Sequence, residues 1–101
     1  MYIQRPKGGL TRRLHLHLRA EYFDQIKAST KKEEYRAYSN FYSRQLLNAP
    51  FACIVLYRGY PKGGDSSRII ERPWRGYSEK VITHPHFGPK PTRVYAIIVN
   101  D

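Results

Sequence analysis

Leu14-His15-Leu16-His17-Leu18 alternates apolar and polar residues with a strict period of two. A strand sends successive side chains to opposite faces, so this pattern predicts a half-buried strand, leucines inward and histidines outward. Arg12, Arg13 and Arg19 flank it. The next stretch, Ala20-Glu21-Tyr22-Phe23-Asp24-Gln25-Ile26-Lys27-Ala28, places Phe23 and Ile26 three apart, on one helical face. Glu21 and Asp24 fall in its early turns and Lys27 near its end, as the helix dipole favours. A strand followed by a short helix is therefore expected over 14–28, with Ser29-Thr30 ending the helix.

Working outward, residues 31–38 are dense in charge and their middle reads as extended. A second helix is expected over 39–48, capped by Ser39 or Asn40 and stopped by Pro50. Residues 52–58 are the most apolar run and read as a central strand. Gly59 to Ser66 is a long turn signal. Residues 68–72 and 77–83 read as a pair of strands with a break at Pro73. His84 to Pro91 is a rigid loop carrying Pro85, Pro89 and Pro91, and 93–99 closes the chain as a last strand. The later connections are too short for crossover helices, which argues against a doubly wound parallel sheet. They predict an α+β fold built on a mostly antiparallel curled sheet. Residues 1–11, rich in Pro and Gly, read as a flexible N-terminal arm, and 12–101 as a single domain, as a chain of 101 residues suggests.

Eighteen Lys and Arg oppose eight Asp and Glu, a formal net charge of +10. Such an excess concentrates polyanions near the surface and speeds encounter with them, and nucleic acid is the first candidate. No segment is a clean amphipathic helix with a lysine face, and no apolar run approaches a bilayer span, so no membrane partner is expected. The N-terminus shows no apolar core of a signal peptide. Cys53 is the one cysteine, which excludes an intramolecular disulfide; it reads as a buried small hydrophobe in a cytoplasmic protein.

The candidate site residues cluster in Lys31-Lys32-Glu33-Glu34-Tyr35-Arg36. In an extended segment Glu34 and Arg36 point one way and Glu33 and Tyr35 the other. Arg offers a rigid fork for phosphate, Lys a compact charge, and Glu an acceptor for a base amine. The alternative is a solvated charged face with internal ion pairs. The chain holds nine tyrosines. Tyr35, Tyr57 and Tyr60 lie close to Arg or Lys in sequence and are candidates to stack on bases, although most such rings serve the core. His15/His17 and His84/His86 are each spaced i,i+2. No cysteine or carboxylate pair supports them as a metal site, so no metal and no cofactor are expected; they are better placed as acid or base in RNA cleavage. Gly63-Gly64 matches no phosphate-binding glycine motif.

Over Gln25-Ile26-Lys27-Ala28-Ser29-Thr30-Lys31-Lys32-Glu33-Glu34-Tyr35-Arg36 the chain resembles the ASCH domain family. The family's hallmark is a helix ending in Gly, a Lys shortly after, then a short extended stretch reaching Arg. The strand Ile54-Val55-Leu56-Tyr57 followed by Gly59-Tyr60, and the closing Val94-Tyr95-Ala96-Ile97-Ile98, are similar in order. The resemblance covers about residues 14–99. It implies a PUA-like β-barrel of five to six strands with two short helices, and a cleft beside Lys31–Arg36 facing RNA or a modified nucleoside. One branch of the family removes an acyl group from a modified cytidine. Its pocket Lys matches Lys31, but its Thr nucleophile falls at Glu34, and Glu71 is only a loose substitute for its catalytic Glu.

The expected function is RNA binding in a basic cleft, with single-stranded RNA or a nucleotide as partner. Lys31, Lys32, Arg36 and Arg19 would meet phosphate, Tyr35, Tyr57 or Tyr60 would stack, and Glu34 would orient Arg36 or read a base amine. The alternative is a metal-independent ribonuclease in the same cleft, with Lys31 and Glu34 as its catalytic candidates. A modified-nucleoside amidohydrolase and a non-catalytic protein-interaction subunit rank lower. Catalysis and oligomeric state stay open at this level.

Overall fold

The computed structural model describes residues 12–47 and 51–100. The expected N-terminal arm and the proline stop at Pro50 lie outside them. The elements run β1 (Arg13–Leu18), α1 (Ala20–Lys27), β2 (Glu33–Ala37), α2 (Asn40–Leu47), β3 (Cys53–Arg58), β4 (Ile69–Pro73), β5 (Tyr77–Ile82) and β6 (Thr92–Ile98). Single 3-10 turns cover Ser66–Arg68 and Pro85–Phe87.

The strands form two three-stranded sheets, ordered β1-β3-β4 and β2-β6-β5. In the first, β1 runs parallel to β3 with Leu14 opposite Ile54 and Leu16 opposite Leu56, and β4 pairs antiparallel to β3. In the second, β6 is antiparallel to both neighbours, with Glu34 and Tyr77 flanking Ile97. The α+β composition follows the sequence, but the curled barrel does not form: neither sheet closes. The point of divergence is the passage from β4 to β5, expected to be a strand pair. Pro73 ends β4 without a backbone N–H to extend a ladder, and Trp74-Arg75-Gly76 carries the chain across, Gly76 adopting φ +89°. Its carbonyl then accepts from Ile98 N–H of the second sheet (3.1 Å). Consecutive strands therefore serve different sheets.

One core lies between the two sheets. Leu14, Leu16 and Leu18 of β1 face it, as their alternation predicts, with Phe23 and Ile26 of α1, Leu46 of α2, Ile54 and Leu56 of β3, and Tyr95, Ile97 and Val99 at the other side. The central strands are buried on both faces: Val55 of β3 and Val94 and Ala96 of β6 are also shielded. That explains why these two segments read as continuous apolar runs and not as alternating ones. Cys53 is only partly buried, contrary to its reading as core. Its Sγ lies 3.7 Å from Glu71 Oε2. Desolvation, then the Glu71 charge, push the thiol pKa up.

The end of α1 aims the segment that follows. Ser29 N–H donates to Ile26 O (3.0 Å) and Thr30 N–H to Gln25 O (2.9 Å), the paired bonds of a Schellman terminus. The first of these donors, at the C′ position, must be left-handed, and Ser29 has φ +64°. A β-carbon there costs roughly 1–2 kcal/mol, against a smaller entropic penalty for glycine. Ser29→Gly should therefore raise stability by about 0.5–1 kcal/mol, read as a rise of a few degrees in Tm with the fold unchanged.

Candidate nucleotide-binding cavity

A barrel would hydrogen-bond β1 to β2. Here that seam is bridged by a side chain instead: Arg36 Nη2 of β2 donates to the His17 carbonyl of β1 (2.9 Å). The space around this bridge is a cavity of about 230 Å³. Its walls are His17 and Leu18 of β1, Arg19 and Tyr22 at the start of α1, Lys31, the strand from Glu34 to Ala37, Tyr42 of α2, and His84, His86 and Phe87 of the proline loop.

Glu34 is the base of the site. It is 6% exposed, the buried charged residue of the described chain. Arg36 Nη2 pairs with Oε2 at 3.0 Å and Lys31 Nζ with Oε1 at 3.8 Å. The strand's period of two sets Glu34 and Arg36 on one face, as anticipated. Tyr42 holds the other arm of the fork, its hydroxyl accepting from Arg36 Nη1 at 3.1 Å. Arg36 Nε is buried with no acceptor among the described residues.

Lys31 is held by rings as well as by charge. Its ammonium sits 4.8 Å from the centre of the Tyr35 ring and 5.2 Å from that of Tyr22. Such contacts attract through the ring quadrupole and strengthen as water is excluded. Tyr22 in turn meets His84 and His86 edge-on, and Phe87 packs against both imidazoles. Tyr35 donates its hydroxyl proton to Glu33 Oε1 (3.2 Å), which also takes Lys80 Nζ at 2.7 Å. Burial first, and then Glu33, raise the Tyr35 pKa.

The backbone bearing Lys31 is clamped from the far end of the chain. Asn100 Nδ2 donates to the Lys31 carbonyl (2.7 Å) and to the Ile26 carbonyl (3.0 Å), which also accepts from Ser29 N–H. Arg72 Nε orients that amide through Asn100 Oδ1 (3.0 Å). Lys32 contributes its carbonyl, which accepts from Val99 and Asn100 N–H.

The cavity thus brings together Lys31, Glu34, Tyr35, Arg36 and Arg19 of the expected residues. Lys32 is outside its lining, and so are Tyr57 and Tyr60. Those two rings instead stack on His17, at 4.6 Å and 4.2 Å between centroids. Tyr22, Tyr42, Phe87 and the histidines of the wall were not singled out as a group by the sequence. The i,i+2 pair His84/His86 was the available signal, but its approach to Lys31 depends on a loop docking across the seam. Within that loop the His86 N–H donates to His84 Nδ1 (3.1 Å), so in this arrangement that ring nitrogen carries a lone pair.

Glu71, the loose stand-in for a catalytic carboxylate, lies on β4 beside Arg13 at 3.9 Å and not in the cavity. Among the described residues the hydroxyls of the lining belong to tyrosines 22, 35 and 42. Among the described residues no group of three or more His, Cys, Asp and Glu is placed to hold a metal ion. No helix among them is long and apolar enough to cross a membrane. No family model, curated protein or solved structure matches the chain.

Desolvation is the largest influence on Glu34 and raises its pKa above the ordinary 4.5, with Arg36 and then Lys31 opposing it. A carboxyl whose pKa is higher folded than unfolded binds more protons in the native state, so its contribution weakens as pH rises. Glu34→Gln removes this titration. The stability of the wild type relative to Glu34→Gln should fall as pH is raised upward from about 4.5, measured by urea unfolding across pH. Asn100→Ala should cost about 1–2 kcal/mol by stranding the Lys31 carbonyl, read in the same unfolding assay.

Proposed function

We propose that this domain binds single-stranded RNA, seating one nucleotide in the cavity between β1 and β2. The observation that carries the reading is the convergence of Lys31, Glu34 and Arg36 beneath the rings of Tyr22 and Tyr35. A volume of about 230 Å³ is below the roughly 300–1,000 Å³ of drug-sized sites and suits a single base or nucleoside. The Lys31 ammonium, which lies near one carboxylate oxygen and two ring faces, keeps donor capacity for phosphate. Arg19 reaches the rim, paired with Glu21 at 3.3 Å in an exposed contact that a phosphate can displace at little cost. The net charge of +10 draws the strand in. The ASCH resemblance points to the same cleft, although the barrel that family implies is absent. A nucleic-acid ligand and an unpaired cysteine fit the cytoplasm.

A second reading is favoured by the imidazoles of His17, His84 and His86 in the same lining. In a metal-independent ribonuclease the RNA 2′-hydroxyl would attack the neighbouring phosphorus. A base would take its proton, an acid would protonate the departing 5′-oxygen, and Lys31 would balance the charge gathering on the phosphoryl oxygens.

One assay separates the readings: a labelled unstructured RNA oligonucleotide, with EDTA present, scored for retention and for cleavage. Retention without cleavage is expected. Lys31→Met should weaken retention about ten-fold, the cost of one charge-assisted contact in a dry site. Cleavage that persists in EDTA and vanishes in Lys31→Met would establish the nuclease instead. Wild type that neither retains nor cleaves RNA would overturn both.

A further inference from the structure

Beside the cavity, four rings form a column across the outer face of the first sheet. His15 lies 5.8 Å from Tyr57 at 24°, Tyr57 4.6 Å from His17 at 16°, and His17 4.2 Å from Tyr60 at 14°. The first three are explained by the sheet itself: parallel pairing sets His17 opposite Tyr57, and stacked neighbours on adjacent strands stabilise the ladder. His15 Nδ1 also meets the Tyr57 hydroxyl at 2.8 Å. Tyr60 is different. It lies beyond β3 and is 81% exposed, so it adds little to the core.

Three constraints nevertheless fix its ring. Gly59 turns the chain at φ +66°, a conformation that favours glycine. His17 Nδ1 lies 2.8 Å from the Gly59 carbonyl, which can only accept, so the imidazole donates and locks the turn to β1. Pro61 restricts the Tyr60 backbone to extended angles. An aromatic side chain that is held flat and left open has already lost the freedom that binding would otherwise remove. His17 belongs both to this column and to the wall of the cavity.

We infer that the ligand is a strand of at least two nucleotides, with one seated in the cavity and its neighbour stacked on Tyr60. The inference rests on the cavity binding a nucleotide of an RNA strand and adds the place of the next one. His17 lines the cavity and its ring centre lies 4.2 Å from that of Tyr60, so the stacking position adjoins the cavity wall. Arg19 at the cavity rim and the exposed Lys62 just past Tyr60 supply positive charge along the strand's path. Stacking accepts any base, so this second position adds affinity without sequence preference.

The test compares a short unstructured RNA oligonucleotide with the nucleoside monophosphates, by fluorescence anisotropy and calorimetry at low salt. The proteins are wild type, Tyr60→Leu, Tyr60→Phe and Lys31→Met, each first shown to melt as wild type or nearly so. The oligonucleotide should bind more tightly than any monophosphate. Tyr60→Leu should weaken the oligonucleotide about five-fold or more while leaving monophosphate binding unchanged, and Tyr60→Phe should bind as wild type. If Lys31→Met loses both ligands and Tyr60→Leu loses neither, the strand inference is overturned and the cavity stands. If Lys31→Met loses nothing, the cavity reading fails and the two-nucleotide ligand with it.

Discussion

Removing a carboxylate from water is affordable in free energy only when cations and donors replace the lost hydration. Glu34 imposes that condition on everything around it. Arg36 must lie on the same strand face, Lys31 must arrive from the end of α1, and Tyr42 and the His17 carbonyl must hold the arms of Arg36. Each demand recruits a different element, so β1, β2, α1 and α2 are tied at one point by polar contacts. Replacing such a network by apolar side chains is often neutral or favourable for stability alone. Its presence in a domain this small is therefore not explained by stability alone.

The absence of a closed barrel and the presence of a cavity share one cause. Ladder bonds between β1 and β2 would have drawn the strands within about 5 Å of each other and left no space between them. The fold leaves that seam to a guanidinium, whose planar fork reaches a carboxylate, a hydroxyl and a carbonyl at once. The gap around it is polar at its floor and aromatic at its walls. A lysine at position 36 could not make those bonds together.

How legible this was depends on the range of the interactions. The alternation of Leu14, Leu16 and Leu18, the face shared by Phe23 and Ile26, and the apolar runs of β3 and β6 are local signals, and each was read correctly. The pairing of Glu34 with Arg36 was legible because extended geometry alone sets the two on one face. The sheet partnership of β4 and β5 was not legible, because Pro73 and Gly76 announce a break without saying where the chain goes next. Nor was the role of Asn100, an ordinary amide in sequence that satisfies carbonyls near the other end of the domain. His84, His86 and Phe87 were visible as residues, but their closeness to Tyr22 follows from loop docking, which no periodicity encodes.

The placement of β6 has a consequence for synthesis. Among the described residues β2 pairs only with β6, and β6 leaves the ribosome after the other five described strands. Until it emerges, Glu34 has no sheet to bury it, and Asn100 has not yet arrived to hold the backbone of Lys31. β1, α1 and β3 can assemble earlier, with their own leucines and isoleucines, but the charged segment must wait in solvent. Pairings this distant in sequence are slow to close. A nascent chain still being translated would carry most of the apolar core before the polar site is assembled, so the cavity would form in a single late step.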